Sequence, residues 1–393
     1  MSSRVQRSIC IVRQQTYYEL PVRREAEAFR DAGFEVHVIL QAGEERVGRT
    51  TVDGVTLHRL PGNRVRGGAL RYLWDYTSFF VMVMVYLTWL QVRHRLSVIQ
   101  VNTMPDSLVF ATIWARLLGA KVTVFMKEPV PELFRTIYGR DLDRVLIPVE
   151  QAAIRFADKA FTVTDELKDA YVSRGADPSR ISVVLNGPDP RNLLDLVSDD
   201  LPDTGDRFVA ACNGTIEDRY GQDVLLDAVA IAREIDPRIQ VRISGSGTSL
   251  PALEKRAEKL GLGDSVVFLG WLTWEGLVQE LQAADVGVVA MKANAYSHLI
   301  HTNKMYDYTI FGKPVVASRL RSMERYFDDD AVYYFEPGDP ESLARALLKV
   351  ASDPAEASFK VKRAQELLAT RWGWDHQKKI LVDRTSDLLE VRS

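Results

Sequence analysis

The stretch FVAACNGTIEDRYGQDVLLDAVAIAREIDPRIQVRISGSG, residues 208–247, sets the fold class. Residues 208–212 form a short apolar run, which predicts a strand. The loop that follows carries Gly214 and closes on Gly221. Residues 222–235 then repeat apolar side chains at helical spacing, with Val224, Leu225, Ala228, Val229 and Ala232 on one face. A second apolar run, 240–244, ends in Gly245 and Gly247. Strand, helix and strand joined by glycine-bearing turns predict a βαβ unit. Such units build parallel sheets with helices on both faces.

The alternation extends in both directions. Upstream, 9–13, 34–40, 55–60, 98–101, 121–126, 160–163 and 181–185 read as strands. Helical patterns occupy 20–32, 70–93, 107–118, 149–157 and 165–174. Pro21 and Gly33 punctuate the first helix in the usual order, proline inside the start and glycine past the end. Downstream, 266–269, 286–290, 314–317 and 332–335 read as strands, and 250–260, 274–283, 303–311 and 341 onward as helices. Residues 199–206, DDLPDTGD, are acidic, hold proline and glycine and have one apolar residue, which marks a linker. The expected fold is α/β: two tandem Rossmann-like, doubly wound parallel-sheet domains facing across a cleft. Residues 1–198 form the first domain and 207–372 the second, and the terminal helix, 373–393, is expected to pack back on the first. Ligands of such sheets bind beyond the C-terminal ends of the strands.

Fifty basic residues against 53 acidic ones leave a net charge of −3. That balance excludes a nucleic-acid-coating protein, so nucleic acid is not an expected partner. Two cysteines, Cys10 and Cys212, end apolar runs in different halves and read as buried free thiols, which suits a reducing cytoplasm. The first seven residues lack the apolar stretch of a signal peptide. The longest apolar run, 79–90, is FFVMVMVYLTWL. A spanning helix needs about 20 such residues, so this run predicts a buried or surface-lying helix.

A nucleoside diphosphate asks three things of a protein: backbone N–H groups or cations for the phosphates, a carboxylate for the ribose hydroxyls, and an apolar slot for the base. The second half offers candidates for each. Asn213, Gly214 and Thr215 follow a strand, and Arg219 stands just before a helix. Gly245 and Gly247 form a second glycine turn. Gly270 and Trp271 end a third strand, with Trp271 open to two readings, core filler or base-stacking surface. HTNKMYDYTIFGKPVVAS, residues 301–318, is the most specific piece. Thr302 or Asn303 is placed to cap a helix, Lys304 adds a cation, and Asp307 lies three residues on, near the same face. No Asp-x-Asp metal site stands at a strand end, so no metal is expected. Asp328, Asp329 and Asp330 read as a solvated turn, and His298 and His301 as loop or cap residues.

The segment N-K-x-x-D-Y-x-x-x-G-K-P-V-V, residues 303–316, resembles the donor-binding helix of family 4 glycosyltransferases of the GT-B fold, bacterial type. Pro21-Val22-Arg23-Arg24-Glu25 is similar to their first-helix P-x-x-R-R-E, Asn186-Gly187-Pro188-Asp189 to their N-G/S-x-D turn, and Gly214 with Arg219-Tyr220-Gly221 to their G-x-x-x-x-R-Y-G loop. The matches run in order over nearly the whole chain. The resemblance implies that Arg219 and Lys304 hold a donor diphosphate and Asp307 the ribose. These three are the catalytic candidates. Asn213, Gly214, Thr215, Gly245, Gly247, Gly270, Trp271, Thr302 and Asn303 complete the donor side. It also implies transfer with retention, no resident cofactor and no metal. There are departures. Two glutamates eight positions apart mark the family; here the second falls at Asp307 and the first at Leu299. The usual phosphate-loop lysine falls at Tyr220. Lys127-Glu128 stands where relatives often carry His-Asp, and Lys127, Glu128 and Asn186 are the acceptor-side candidates.

Between residues 59 and 95 lie six arginines (59, 64, 66, 71, 93, 95) and one acid, Asp75, with Tyr72, Trp74, Tyr76, Tyr86 and Trp89 among them. That content suits an anionic membrane surface or a core helix with solvated ends. The expected function is transfer of a sugar from a nucleotide sugar to a lipid-linked or cell-surface saccharide acceptor, in the cytoplasm and peripheral on the inner face of the plasma membrane. A nucleotide-sugar 2-epimerase and a non-catalytic partner subunit are the rival readings.

Overall fold

The structure, a computed structural model, describes residues 7–14, 20–43, 45–62 and 69–390. Arg64 and Arg66 lie outside the described residues, as do the side chains of Pro21, Arg71 and Tyr72. The chain divides into two compact units. The first gathers the described residues up to Leu185 with those from Gln377 on, and the second is Asn186–His376.

The first unit is an eight-stranded sheet. Its strands are β1 (Ser8–Val12), β2 (Glu35–Gln41), β3 (Gly48–Val52), β4 (Val55–Leu60), β5 (Val98–Asn102), β6 (Lys121–Met126), β7 (Lys159–Thr162) and β8 (Ile181–Val183), in the order β3-β4-β2-β1-β5-β6-β7-β8. Every pairing is parallel except β3 with β4. Strand β1 is apolar from Ile9 to Val12 because both faces of the sheet are covered there: Ile9, Cys10, Ile11 and Val12 have no solvent exposure. Cys10 and Cys212 are buried free thiols. The helix Leu20–Asp31 follows β1, and the helix Ala69–His94 follows β4.

The second unit is a six-stranded, all-parallel sheet of β9 (Phe208–Asn213), β10 (Ile239–Ser244), β11 (Val266–Gly270), β12 (Val286–Val289), β13 (Val315–Ser318) and β14 (Tyr333–Phe335), in the order β11-β10-β9-β12-β13-β14. Strand order reverses at β9 and β12, which makes their C-terminal ends the place where such a sheet opens to a ligand. Aspartate and threonine side chains punctuate the helices. Thr273 accepts from the N–H of Gly276, Asp339 from Ser342 and Asp353 from Glu356.

Several elements differ from the sequence-based expectation. The division falls at Leu185/Asn186 and not in the acidic stretch at 199–206. The reason is local: Ser198 donates its N–H to Gln282 Oε1 (3.1 Å) and accepts from Gln282 Nε2 (3.1 Å), which ties the preceding segment to the second unit. At the other end Leu185 N–H donates to Gln377 Oε1 (2.9 Å), and the helix Trp374–Glu390 joins the first unit from Gln377. Strand β3, Gly-Arg-Thr-Thr-Val, carries no apolar alternation because it is an exposed antiparallel edge. The helix Val130–Tyr138 begins among Pro129 and Pro131, and the helix Asp143–Phe156 runs through Pro148, where the pattern alone started it at 149. Residues 106–112 form a tight 3-10 turn before the short helix Ile113–Leu117.

Candidate functional site

The residues singled out in the second half converge at the C-terminal ends of β9, β10 and β11. The loop after β9 and the loop after β10 are stitched together by main-chain bonds. Gly214 N–H donates to Ser244 O (2.8 Å), Ile216 N–H to Ser246 O (3.0 Å), and Gly245 N–H to Gly270 O (2.7 Å). The strands approach so closely that a Cβ at Gly245 would fall 1.8 Å from Gly214 O, and one at Gly247 would fall 1.9 Å from Ile216 O. Both positions require glycine for closeness of backbone to backbone.

Onto this platform come two cations. Lys304, the first residue of the helix Lys304–Ile310, places its Nζ 4.7 Å from the centre of the Tyr220 ring. Arg219 Cζ lies 4.8 Å from the same centre. Tyr220 therefore positions both charges, a role the sequence did not suggest. Lys304 also lies along Gly214, whose absent Cβ would stand 2.8 Å from Lys304 Cε. Burial lowers the Lys304 pKa, with Cys212 and Asp307 raising it and Arg219 lowering it. The loop that holds Arg219 is itself clamped. Lys292 donates to Asp218 Oδ1 (2.6 Å) and Asp223 Oδ2 (2.9 Å), and its N–H donates to Arg219 O (3.0 Å).

Asp307 is one turn along from Lys304. Among the described residues no salt bridge or side-chain hydrogen bond joins it to a partner. Burial pushes its carboxyl up to about 7, with the Lys304 charge pulling the other way. An acidic group withdrawn from water without a donor is what a ribose hydroxyl pair can satisfy.

The remaining donor-side candidates differ in their fates. Asn213 is buried, and its Oδ1 accepts from Tyr308 Oη (2.6 Å), so its side chain anchors the loop. Thr215 is exposed, and its carbonyl accepts from Gln222 Nε2 (3.0 Å). Trp271 is 77% exposed, which removes the core-filler reading. Thr302 and Asn303 precede the helix, but neither side chain caps it: Asn303 is already in helical backbone and its carbonyl accepts from the N–H of Tyr306 and Asp307. His301 packs parallel to Phe327 and edge-on to Tyr306 and Tyr326, with Nδ1 on Ser322 O (2.8 Å). His298 Nδ1 accepts from Arg321 N–H (3.4 Å). Leu299 is buried. The acids at 328–330 are more than a solvated turn, since Arg363 binds Asp328 (2.8 Å) and Arg319 binds Asp329 (2.8 Å).

In the first unit the C-terminal ends of β5 and β6 hold a buried polar cluster around Glu25. Its carboxylate accepts from Lys127 Nζ, Gln100 Nε2 (2.8 Å) and Asn102 Nδ2 (2.7 Å). Burial lowers the Lys127 pKa to about 7; Glu25 raises it, and Arg13 and Arg24 lower it further. Lys127 is thus joined to Glu25, while Glu128 beside it is half-buried. The signal for this cluster was present in β5, where Gln100 and Asn102 interrupt an otherwise apolar buried strand. Asn186 opens the second unit, and Gly187 beside it lies against Tyr306.

Two parallel-sheet α/β units in one chain, the second with its cations and acid gathered at the strand ends, define a GT-B-type protein. Residues 20–187 match the glycosyl transferase 4-like domain, and residues 207–353 match glycosyl transferases group 1. Together these cover most of the chain, which belongs to the family 4 type of GT-B glycosyltransferases. It is similar to the D-inositol 3-phosphate glycosyltransferase of Salinispora tropica, 28% identical over 59% of this chain and 50% of the relative. It is also similar to the GDP-mannose-dependent alpha-(1-6)-phosphatidylinositol monomannoside mannosyltransferase of Mycolicibacterium smegmatis, 24% identical over 72% of this chain and 78% of the relative. The chain spans about half the length of the first of these. The fold matches that of Anabaena HepE in complex with UDP, with TM-score 0.71, 15% identity, and coverage of 97% of this chain and 100% of the other.

Proposed function

We propose that this protein is a retaining, metal-independent glycosyltransferase that moves a sugar from a nucleoside diphosphate sugar to a lipid-linked or cell-surface saccharide acceptor. The observation that carries the reading is the pairing of Arg219 and Lys304 on the one Tyr220 ring, with Lys304 laid against Gly214. As the bond from the anomeric carbon to the diphosphate oxygen breaks, negative charge grows on the leaving diphosphate. Two cations fixed in advance stabilise that charge without a metal. Asp307 accepts the ribose hydroxyls, and the exposed Trp271 face serves the base. The Anabaena neighbour's complex with UDP supports a nucleotide as the ligand.

The acceptor is taken by the first unit, where the Glu25–Lys127 pair is the candidate to meet its hydroxyl. Two observations favour a membrane-borne acceptor. The Mycolicibacterium relative is named for a phosphatidylinositol mannoside. The helix Ala69–His94 buries Phe79, Val83, Leu87 and Leu90 yet exposes Trp74 (69%), Val81, Val85 (63%), Trp89 and Val92 along the other side, ending in exposed Arg93. An apolar stripe that meets basic residues suits a surface of anionic headgroups. No described helix is long and apolar enough to cross a membrane. Arg59, counted among the basic residues in the sequence, is buried against Glu45 and Thr50 and takes no part.

The test is calorimetric titration of UDP, GDP and ADP, followed by product analysis with the matching sugar nucleotides, with and without lipid acceptors. Absence of binding by all three nucleotides overturns the reading. Conversion of the sugar nucleotide in the absence of acceptor favours epimerisation instead.

A further inference from the structure

We propose that the first unit carries a zinc-class metal site formed by Glu35, His37 and His94. Glu35 and His37 lie two residues apart on β2, so they project from the same face of the strand. The helix Ala69–His94 covers that region and ends on His94. One ligand atom from each residue falls within 4.8 Å of the other two. His37 Nε2 is 3.2 Å from Glu35 Oε1, and His94 Nδ1 is 4.0 Å from the same oxygen. Zinc holds nitrogen and oxygen at roughly 2.0–2.2 Å in a tetrahedron, so its ligand atoms stand about 3.4 Å apart. The His37–Glu35 edge has that length already. A sub-ångström shift of the His94 ring, at the end of its helix, closes the second edge.

The hydrogen bonds behind His37 point the same way. His37 Nδ1 is 3.0 Å from His58 Nε2, and His58 Nδ1 is 2.9 Å from Tyr86 Oη. This chain has two proton arrangements. In one, Tyr86 donates to His58, His58 to His37, and the remaining proton sits on His37 Nε2. That nitrogen is buried and stands 3.2 Å from Glu35 Oε1. In the other, His37 Nδ1–H donates to His58 and His58 Nδ1–H donates to Tyr86. His37 Nε2 then presents a bare lone pair toward Glu35 and His94. A fixed second-shell partner on the far nitrogen is how metal-binding histidines are oriented. Glu35 supplies the negative charge. Its side chain is 38% exposed and that of His94 20%, which leaves an entry path and room for a water as fourth ligand.

Two neutral imidazoles and a carboxylate suit Zn(II) and, as a spectroscopic substitute, Co(II). The donor-side residues belong to the other unit, so the metal would clip β2 to the end of the helix and take no part in transfer. Chelator-treated full-length protein is titrated with Zn(II) against a chromogenic competitor, and with Co(II) while the visible spectrum is recorded. One equivalent of Zn(II) should bind, Co(II) should give the strong visible bands of a tetrahedral site, and Zn(II) should raise Tm. Glu35→Gln and His94→Ala, both at partly exposed positions, should each weaken binding by at least about tenfold while nucleoside diphosphate affinity stays unchanged. The proposal is overturned if the wild type takes up no stoichiometric Zn(II), or if the two variants bind it as tightly as the wild type.

Discussion

Lys304 runs along Gly214 so closely that a single added methyl at 214 would meet its Cε at 2.8 Å and its Nζ at 3.2 Å. The glycine is also at φ +109°, where a side chain is strained. Gly214→Ala should therefore displace the Lys304 ammonium and weaken nucleoside diphosphate binding. Arg219→Ala and Lys304→Ala should each cost about 1.5–3 kcal/mol of that binding with the fold retained. Calorimetry with circular dichroism as the folding control checks all three, and unchanged affinity in both charge deletions would sink the diphosphate assignment.

Asp307 makes stability and ligand binding oppose one another. Its carboxyl titrates near 7 in the folded chain, against about 4 in an unfolded one. A group whose folded pKa is raised contributes stability at low pH and loses it as pH climbs, here between about 4 and 7. Asp307→Asn should remove that loss, leaving the ligand-free variant about 1–2 kcal/mol more stable than wild type at pH 8, after allowance for solvent reaching this half-buried side chain. The same change should weaken nucleotide binding. Denaturant titrations at pH 5 and pH 8 decide it; equal pH dependence in both proteins refutes the claim.

Removing Lys127 strands a fully buried carboxylate. Lys127→Met should destabilise the first unit by about 3 kcal/mol at pH 6, where the Lys127 ammonium is charged. Glu25→Gln combined with Lys127→Met should restore much of the loss at pH 6. A double variant no more stable than the single one would show that the pair is not what matters.

Trp74 and Val85 offer apolar surface to solvent, which suits a lipid interface. Trp74→Ser with Val85→Asp should lower sedimentation with anionic vesicles without lowering Tm. Added salt should weaken wild-type binding, since headgroup attraction is screened. Wild type that ignores anionic vesicles at low salt would leave the stripe to another partner.

Transfer should survive EDTA, because the proposed reading gives Arg219 and Lys304 the part a metal would play at the leaving group. Chelation should lower Tm through the Glu35–His37–His94 site alone. Activity lost in EDTA and restored by manganese or magnesium would contradict the metal-independent reading.

The sequence by itself determined the fold class, and it marked the glycines and charged residues that the structure gathers at the strand ends of the second unit. Apolar runs buried on both faces and helices at 3.6-residue spacing are local signals, and each glycine at 214, 245 and 247 marks a close approach that its neighbours in sequence announce. It was silent where an element owed its form to neighbours. Strand β3 exists because β4 offers an edge, and the division at Leu185 exists because Ser198 finds Gln282 across 84 residues. Trp271 could be read as core or surface until packing left it exposed. Only tertiary structure decided that Lys304 pairs with Tyr220 and not with Asp307, that Glu25 gathers Lys127 from 102 residues away, and that two histidines meet beside Glu35. The physical reason is common to all of these. Propensity and periodicity act over a few residues, whereas charge, desolvation and hydrogen-bond partnership depend on what the fold brings within a few ångströms.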